Sequence, residues 1–451
     1  FKFGPKRSHI RISKSKFRKV LSLSEKFQNL KVRKQSNKSA ILLTNFSTNL
    51  SKEFLLASPQ SKNIFVKFDR RSPSFWNYDT YSTVKKSGCI IENISSLMDG
   101  NIKKLINDSQ ILIDKKLNSL DSLEEIKQFF SVNKISFWNA FKKTFFKLLQ
   151  NKFTEFIREI EIAEKLFSKY KFSCILVHAE AGLELVLIKL AKRQNIPIIL
   201  LKHGIQTRSK NFLHHERFYR SIPVNSNRCL VWGNADLKQL TENGILRNDI
   251  DVLGAPFYDK IFQNKILSYQ ELDNFILFAT DFKANHKLET ITVQSMKKYE
   301  MIINSVYNSV MKHDKKLVIR PHPLKDIGEK ELAKNLDPGI KVVIGGSILP
   351  LIKSSSLVVV TDNSTVILEA LALKKPVISI KMDKDLDDDE VCNSNACVRT
   401  SIQDFESNLS KILQDDHFRN LILQNGKTFL DENLTNQGLA SVKTIKFLDN
   451  L

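Results

Sequence analysis

The chain holds 451 residues, 42% hydrophobic and 26% charged, which suits a globular protein of two or three domains and excludes a disordered, collagen-like or coiled-coil chain. No run approaches the ~18 consecutive apolar residues of a membrane-spanning helix. Lys and Arg total 70 against 48 Asp and Glu, a net charge of +22, and more than half of that excess lies in residues 1–40, where thirteen basic residues meet Glu25 alone. Such a block is a footprint for a polyanion: a membrane surface, a nucleic acid or a phosphorylated substrate. Within residues 1–38, Phe17, Val20, Leu21, Leu23, Phe27 and Leu30 recur at helical spacing among the lysines. Two readings of that basic helix stand: it packs on the domain by its apolar side, or it lies in a layer of anionic headgroups. No zinc finger or aromatic-rich RNA-binding motif accompanies it, so specific nucleic-acid binding is not expected. The five cysteines are scattered without CxxC spacing, which predicts neither a disulfide framework nor a thiolate metal site, and points to a reducing, cytoplasmic setting.

From residue 39 onward, short apolar runs alternate with helical patterns. Strands are predicted at Ala40–Phe46, Ile64–Val66 and Ile90–Ile91, and a helical insertion at 98–170. Then follow strand Cys174–Val177, helix Gly182–Lys192, strands Pro197–Leu201 and Arg228–Trp232, helix Ala235–Asn243 and strand Asp251–Leu253. A second series opens after the polar stretch 263–274. It comprises strand Phe275–Ala279, helix Lys287–Lys312, strands Leu317–Ile319, Val342–Ile344 and Leu357–Val360, helix Val366–Leu373 and strand Val377–Ile380; residues 402–449 read as helical. Strands apolar on both faces, separated by helices, imply βαβ units and parallel sheets. The predicted class is α/β: two doubly wound Rossmann-like domains facing a cleft, with a basic helical N-terminal segment. The expected division is 1–38, 39–265, 266–430 and a C-terminal helix at 431–451 packing back on the first domain.

Sites in open parallel sheets gather at the carboxyl ends of strands. Three such ends carry polar motifs. In Val318-Ile-Arg-Pro-His-Pro323, the prolines stiffen the loop and aim His322 beside Arg320, a pair suited to clamping phosphate. In Thr361-Asp-Asn-Ser-Thr365, Asn363, Ser364 and Thr365 open a helix, where hydroxyls and free N–H groups attract anions and also cap. Glu369, on the same helix, is either an acceptor for ribose or sugar hydroxyls or a solvated helix residue. In Leu201-Lys-His-Gly204, His203 is either a general base or a structural histidine. Glu180, in His178-Ala-Glu180 at the end of the preceding strand, is the reserve candidate for base or acceptor binding. The acidic run Asp387–Glu390 lacks a histidine and reads as a solvated loop rather than a metal site.

The order His203-Gly204, Val231-Trp-Gly233, Gly254-Ala-Pro256 with Asp259, Arg320-Pro-His-Pro323, Thr361–Thr365 with Glu369, and Asn436-Gln-Gly438 followed by Ala440-Ser-Val442 resembles the two-domain GT-B glycosyltransferases. More narrowly it is similar to the CDP-glycerol glycerophosphotransferase and capsular-polysaccharide transferase group, over roughly 173–450. Lys202 stands where that group usually has Trp, and Asn363-Ser364-Thr365 where it has a Ser-Ser pair. The resemblance implies that His322, Ser364 and Thr365 hold the donor's phosphates and that His203 is the catalytic base. It implies a CDP-, CMP- or UDP-linked donor as substrate, a glycan or lipid-linked acceptor, no required cofactor, and a place in surface-polysaccharide synthesis, cytoplasmic or peripheral at the inner face of the membrane. Two rival readings are an epimerase resembling the UDP-N-acetylglucosamine 2-epimerases, which share the fold, and a polyanion-binding module built on residues 1–38.

Overall fold

The structure is a computed structural model, and it describes residues 14–33, 39–48, 51–70, 78–202, 204, 222–280, 293–322, 329–362, 364–382 and 390–451. The chain is α/β, with two doubly wound Rossmann-like parallel sheets. The first is formed by β1 (Ala40–Thr44), β2 (Ile64–Asp69), β3 (Ile90–Asn93), β6 (Phe172–Val177), β7 (Ile198–Leu201), β8 (Arg228–Val231) and β9 (Ile250–Val252); between β3 and β6 lie the two short strands β4 (Ser131–Val132) and β5 (Ile135–Ser136) of a separate hairpin. Its order is β3-β2-β1-β6-β7-β8-β9. The second contains β10 (Phe275–Ala279), β11 (Leu317–Arg320), β12 (Lys341–Val342), β13 (Ser355–Thr361), β14 (Val377–Ile380) and β15 (Val398–Thr400), in the order β12-β11-β10-β13-β14-β15.

Apart from β15 and the hairpin β4–β5, for which no strand is predicted, the strands form at the predicted apolar runs because their faces are covered. In β1, all five side chains are buried. In the second sheet the pleat sorts neighbours onto opposite faces: Phe275, Leu277, Val358 and Val360 enter one core cluster, Ile276, Phe278, Leu357 and Val359 the other. Several strands end before their predicted spans, β1 at Thr44 rather than Phe46 and β8 at Val231 rather than Trp232, and β12 is one of them. It stops at Val342 instead of reaching Ile344, because Gly345 and Gly346 turn the chain with φ of 78° and 74°.

Packing divides the chain into two compact units, Phe1–Leu201 with Pro223–Cys229 and Ile445–Leu451, and Lys202–Ile222 with Leu230–Thr444. By sheet membership β8 and β9 go with the first sheet. By packing, the stretch from Leu230 onward goes with the second unit, because residues 433–441 are laid against it. Thr435 N–H donates to the Trp232 carbonyl at 2.8 Å and the Asn436 amide to the Leu253 carbonyl at 3.2 Å. Asp259 accepts from the Ala440 and Ser441 N–H groups at 3.0 and 2.7 Å, capping the helix Ala440–Leu448. The approach demands glycine. A Cβ on Gly233 would stand 2.3 Å from Asn433 backbone, and one on Gly254 2.2 Å from the Thr435 oxygen. Within the first unit, the Asp449 carboxylate accepts from Lys62 N–H and the Asn63 amide, both at 3.1 Å.

The basic segment forms a helix, Lys14–Arg33. It inverts the expectation that an apolar side packs inward. Its polar side meets the domain: Asn29 donates to the Ile91 carbonyl at 2.6 Å and accepts from Ile91 N–H at 2.7 Å, and of the helix's described side chains only Leu21 joins the apolar cluster of Val84 and Ile91. Val20, Leu23, Phe27 and Leu30 face outward.

Candidate functional site

The candidate site lies along the carboxyl edge of the second sheet. Chain order there runs β10, β11, β12 in one direction and β13, β14, β15 in the other, so β10 and β13 mark the switch point where such sheets bind ligands. The loops after β11 and β13 flank β10. Two strand spacings put them about 10 Å apart.

Arg320 ends β11 and is 5% exposed. It was expected to reach for phosphate. Instead, its guanidinium donates to the carbonyls of Val343, Gly345 and Gly346 at 2.9, 2.5 and 2.8 Å, holding the loop after β12 against the sheet edge. The Gly345-Gly346 pair, whose signal in the sequence was a glycine doublet after a short apolar run, belongs to the site for that reason. Among the described residues no carboxylate pairs with Arg320, and burial holds its pKa below the usual value. Among the described residues its charge is met by these carbonyl dipoles.

Pro321 is buried and His322, just beyond it, is half-buried. The β11 edge is fixed to its neighbour by the Thr280 N–H bond to the Arg320 carbonyl at 3.1 Å, so the imidazole leaves a held backbone. Across β10, Asp362 closes β13 with φ 48°; its carboxylate accepts from Met382 N–H at 2.7 Å and its carbonyl from the Ser379 hydroxyl at 2.7 Å. Asp362 is thus a brace. Ser364 Oγ accepts from Val366 N–H at 3.3 Å and Thr365 is exposed at the start of the helix Val366–Ala372. Asn363 lies outside the described residues.

Glu369, one turn into that helix, is half-buried, and burial pushes its carboxyl up to about 7, with Lys260 pulling the other way. The buried Tyr258 hydroxyl is raised in turn, by burial and by Glu369. Near neutral pH this carboxyl is part protonated, able to donate as well as accept.

The two remaining candidates, His203 and Glu180, fare differently. His203 lies outside the described residues. Glu180 is described, and its carboxylate is saturated: one oxygen accepts from Asn225 N–H at 2.7 Å and the Asn225 amide at 3.0 Å, the other from Ser226 N–H at 2.8 Å and the Ser226 hydroxyl at 2.6 Å. Four donors occupy the lone pairs a base would need, so Glu180 braces the 225–226 turn and is not placed as the base that the sequence suggested. Lys202, in the second unit, forms a buried pair with Asp236, whose other oxygen accepts from Trp232 N–H at 3.0 Å; the Trp232 indole N–H donates to the Lys202 carbonyl at 3.0 Å. Periodicity carries no sign of that pair, since its members stand 34 residues apart in the chain.

No cluster of three or more His, Cys, Asp and Glu that could hold a metal occurs among the described residues. Of the acidic run, Asp387–Asp389 lie outside them. No described helix is long and apolar enough to cross a membrane.

Two doubly wound Rossmann-like parallel sheets are the architecture of the GT-B fold. Solved structures share this fold at low identity. The S. aureus MnaA–UDP co-structure aligns over 92% of this chain and 97% of its own, with TM-score 0.56 and 14% identity. The Neisseria meningitidis UDP-GlcNAc 2-epimerase bound to UDP-GlcNAc aligns over 92% and 100%, with TM-score 0.56 and 12% identity. Anabaena Alr3699/HepE in complex with UDP and glucose aligns over 92% and 100%, with TM-score 0.52 and 10% identity. At these identities the likeness concerns the fold alone. No curated protein matches the sequence. Residues 10–387 match the LIC12162 family transferase profile, and the chain belongs to that family of transferases.

Proposed function

We propose that the chain transfers a sugar or polyol-phosphate group from a nucleotide-activated donor to a hydroxyl of a glycan or lipid-linked acceptor, in surface-polysaccharide synthesis, and that the carboxyl edge of the second sheet holds the donor. The observation that carries this reading is the buried Arg320 guanidinium, neutralised by no carboxylate among the described residues, two residues before His322 on the strand next to β10. A buried cation without an acid is stabilised by an anionic ligand, and a donor's phosphates supply one. In this proposal His322 and the Ser364 and Thr365 hydroxyls bind those phosphates, Arg320 supplies field and holds the glycine loop, and Glu369 takes a ribose or sugar hydroxyl. His203 removes the acceptor's proton as its oxygen bonds to the transferred group. The nucleotide leaves with the bonding electrons, its charge met by His322. With charge handled by side chains the reaction needs no metal, so turnover should survive a chelator. UDP in the MnaA and HepE co-structures supports a CDP-, CMP- or UDP-linked donor. The exposed face of the basic helix supports attachment to an anionic membrane.

The test is His322→Ala: loss of one charge-stabilising donor lowers kcat at least ~100-fold with the melting temperature unchanged. Near-normal turnover removes His322 from the mechanism. A thermal-shift comparison of CMP, CDP, UDP and GDP identifies the donor base, because a ligand of the native state raises its melting temperature. A second reading, an epimerase, is favoured by the shared fold of the Neisseria meningitidis UDP-GlcNAc 2-epimerase, which was solved bound to UDP-GlcNAc. Incubation with UDP-N-acetylglucosamine and no acceptor distinguishes it, since a new nucleotide sugar would then appear.

A further inference from the structure

The insertion between β3 and β6 is an antiparallel helical hairpin, Gly100–Leu120 and Trp138–Lys169. Three rungs fix its register. Lys165 pairs with Asp99 at 2.8 Å at the base, the Gln150 amide donates to Asp114 at 2.7 Å halfway, and Asp121 accepts from the Trp138 indole at 2.7 Å and from Lys142 at 3.0 Å at the far end. At 1.5 Å per residue the first helix carries that end about 30 Å from its base.

The far end is a built structure. Phe130 packs among Trp138, Phe141 and Phe145, with ring centroids 5.1 to 5.4 Å away. On this base β4 and β5 form a two-stranded ribbon, closed by Asn133 and Lys134 at φ 50° and 65°, the left-handed pair of a tight hairpin turn. Yet the ribbon and the helix before it point apolar side chains into solvent: Phe129 is 81% exposed, Ile135 73% and Val132 62%. A fold that spends an aromatic cluster on holding three apolar side chains in water is presenting them to something.

Charge says what. Residues 126–154 contain six lysines and no Asp or Glu. Lys127, Lys142 and Lys152 pair with Glu124, Asp121 and Glu155 at the margins. Lys134, at the apex between Val132 and Ile135, and Lys143 and Lys147 behind it, are exposed with no carboxylate partner among the described residues. A second copy of the chain would set these lysines against their own kind. An anionic bilayer suits both features, taking apolar side chains at the acyl boundary and ammonium groups among its phosphates.

We propose that the tip of this hairpin anchors the protein to anionic membranes by inserting Phe129, Val132 and Ile135. The proposal rests on neither the donor chemistry nor residues 1–38. The full chain is floated with vesicles of phosphatidylcholine alone and with about a third phosphatidylglycerol. The parent binds the anionic vesicles, and Phe129→Ser/Val132→Ser/Ile135→Ser weakens that binding at least ~10-fold while the melting temperature holds. Lys134→Gln/Lys143→Gln/Lys147→Gln erases the preference for anionic over neutral lipid. As a measurement that keeps the apolar tip, Phe129→Trp gains fluorescence that brominated acyl chains quench beyond the quenching of the parent's own tryptophans. The proposal is overturned if the parent binds no vesicles, if the serine variant binds as tightly as the parent, or if the added tryptophan is not quenched. It is equally overturned if the parent is a lipid-free dimer that the serine substitutions convert to monomer, which would make a second copy the occupant.

Discussion

Glu369→Gln isolates one charge inside the second unit. The glutamate carboxyl is lifted by burial from an ordinary 4.5 to about 7. A carboxyl whose native value lies above its unfolded value binds its proton more tightly in the folded chain. Its stabilising share is therefore fully present below about pH 4.5 and is lost as pH rises through 7. The full difference corresponds to roughly 3 kcal/mol, which partial exposure trims to about 2–3 kcal/mol. Gln keeps the shape and removes the titration. The stability of the variant minus that of the parent should therefore grow by about 2–3 kcal/mol between about pH 4.5 and pH 8. Urea unfolding measures it, with Trp232 as a reporter of the second unit, since its ring lies 5.5 Å from that of Tyr258 beside Glu369. A difference that stays flat across that range, or grows toward acid, refutes the placement of this carboxyl in a poorly solvated setting.

Lys202→Met strands Asp236 as a buried charge and should lower stability by about 3–5 kcal/mol, most of it regained in Lys202→Met/Asp236→Leu; urea unfolding of the three proteins reads both effects. Gly254→Ala meets both a φ of 93° and the Thr435 oxygen, whereas Gly244→Ala meets a φ of 85° in open space. The first should lose at least about 2 kcal/mol more than the second, in the same assay, because only it adds a clash to the backbone strain.

The strands were legible because continuous apolar runs such as Phe275–Ala279 have no other stable home than a sheet covered on both faces. The site edge was legible for a related reason: polar residues that follow such runs, Arg320 and His322 or Ser364 and Thr365, are delivered to the rim wherever the strand ends. Side-chain direction was not legible. Arg320 turns sideways to the carbonyls of a glycine loop because that loop, shortened from the predicted strand Val342–Ile344, offers three acceptors at once. Glu180 finds its donors 45 residues onward, at Asn225 and Ser226, a distance at which periodicity carries no information. The N-terminal helix shows the same limit. Its spacing foretold two faces, but Asn29 bonding to the Ile91 backbone decided which face looks inward. Several shared motifs, Val231-Trp-Gly233, Gly254-Ala-Pro256 with Asp259, and the stretch from Asn436, are packed and hydrogen-bonded against one another as parts of one joint.

That joint has a consequence for synthesis. Residues 433–441 are translated after every strand of both sheets, yet they lie over Gly233 and Gly254 and satisfy Asp259. While the ribosome is still making the second sheet, the stretch from Leu230 to Phe262 waits without its cover, and vectorial folding cannot finish that unit in the order its strands emerge. A chain stopped just short of residue 433 would carry every strand of both sheets and every candidate donor-site residue, and should still be a client for chaperones and proteases.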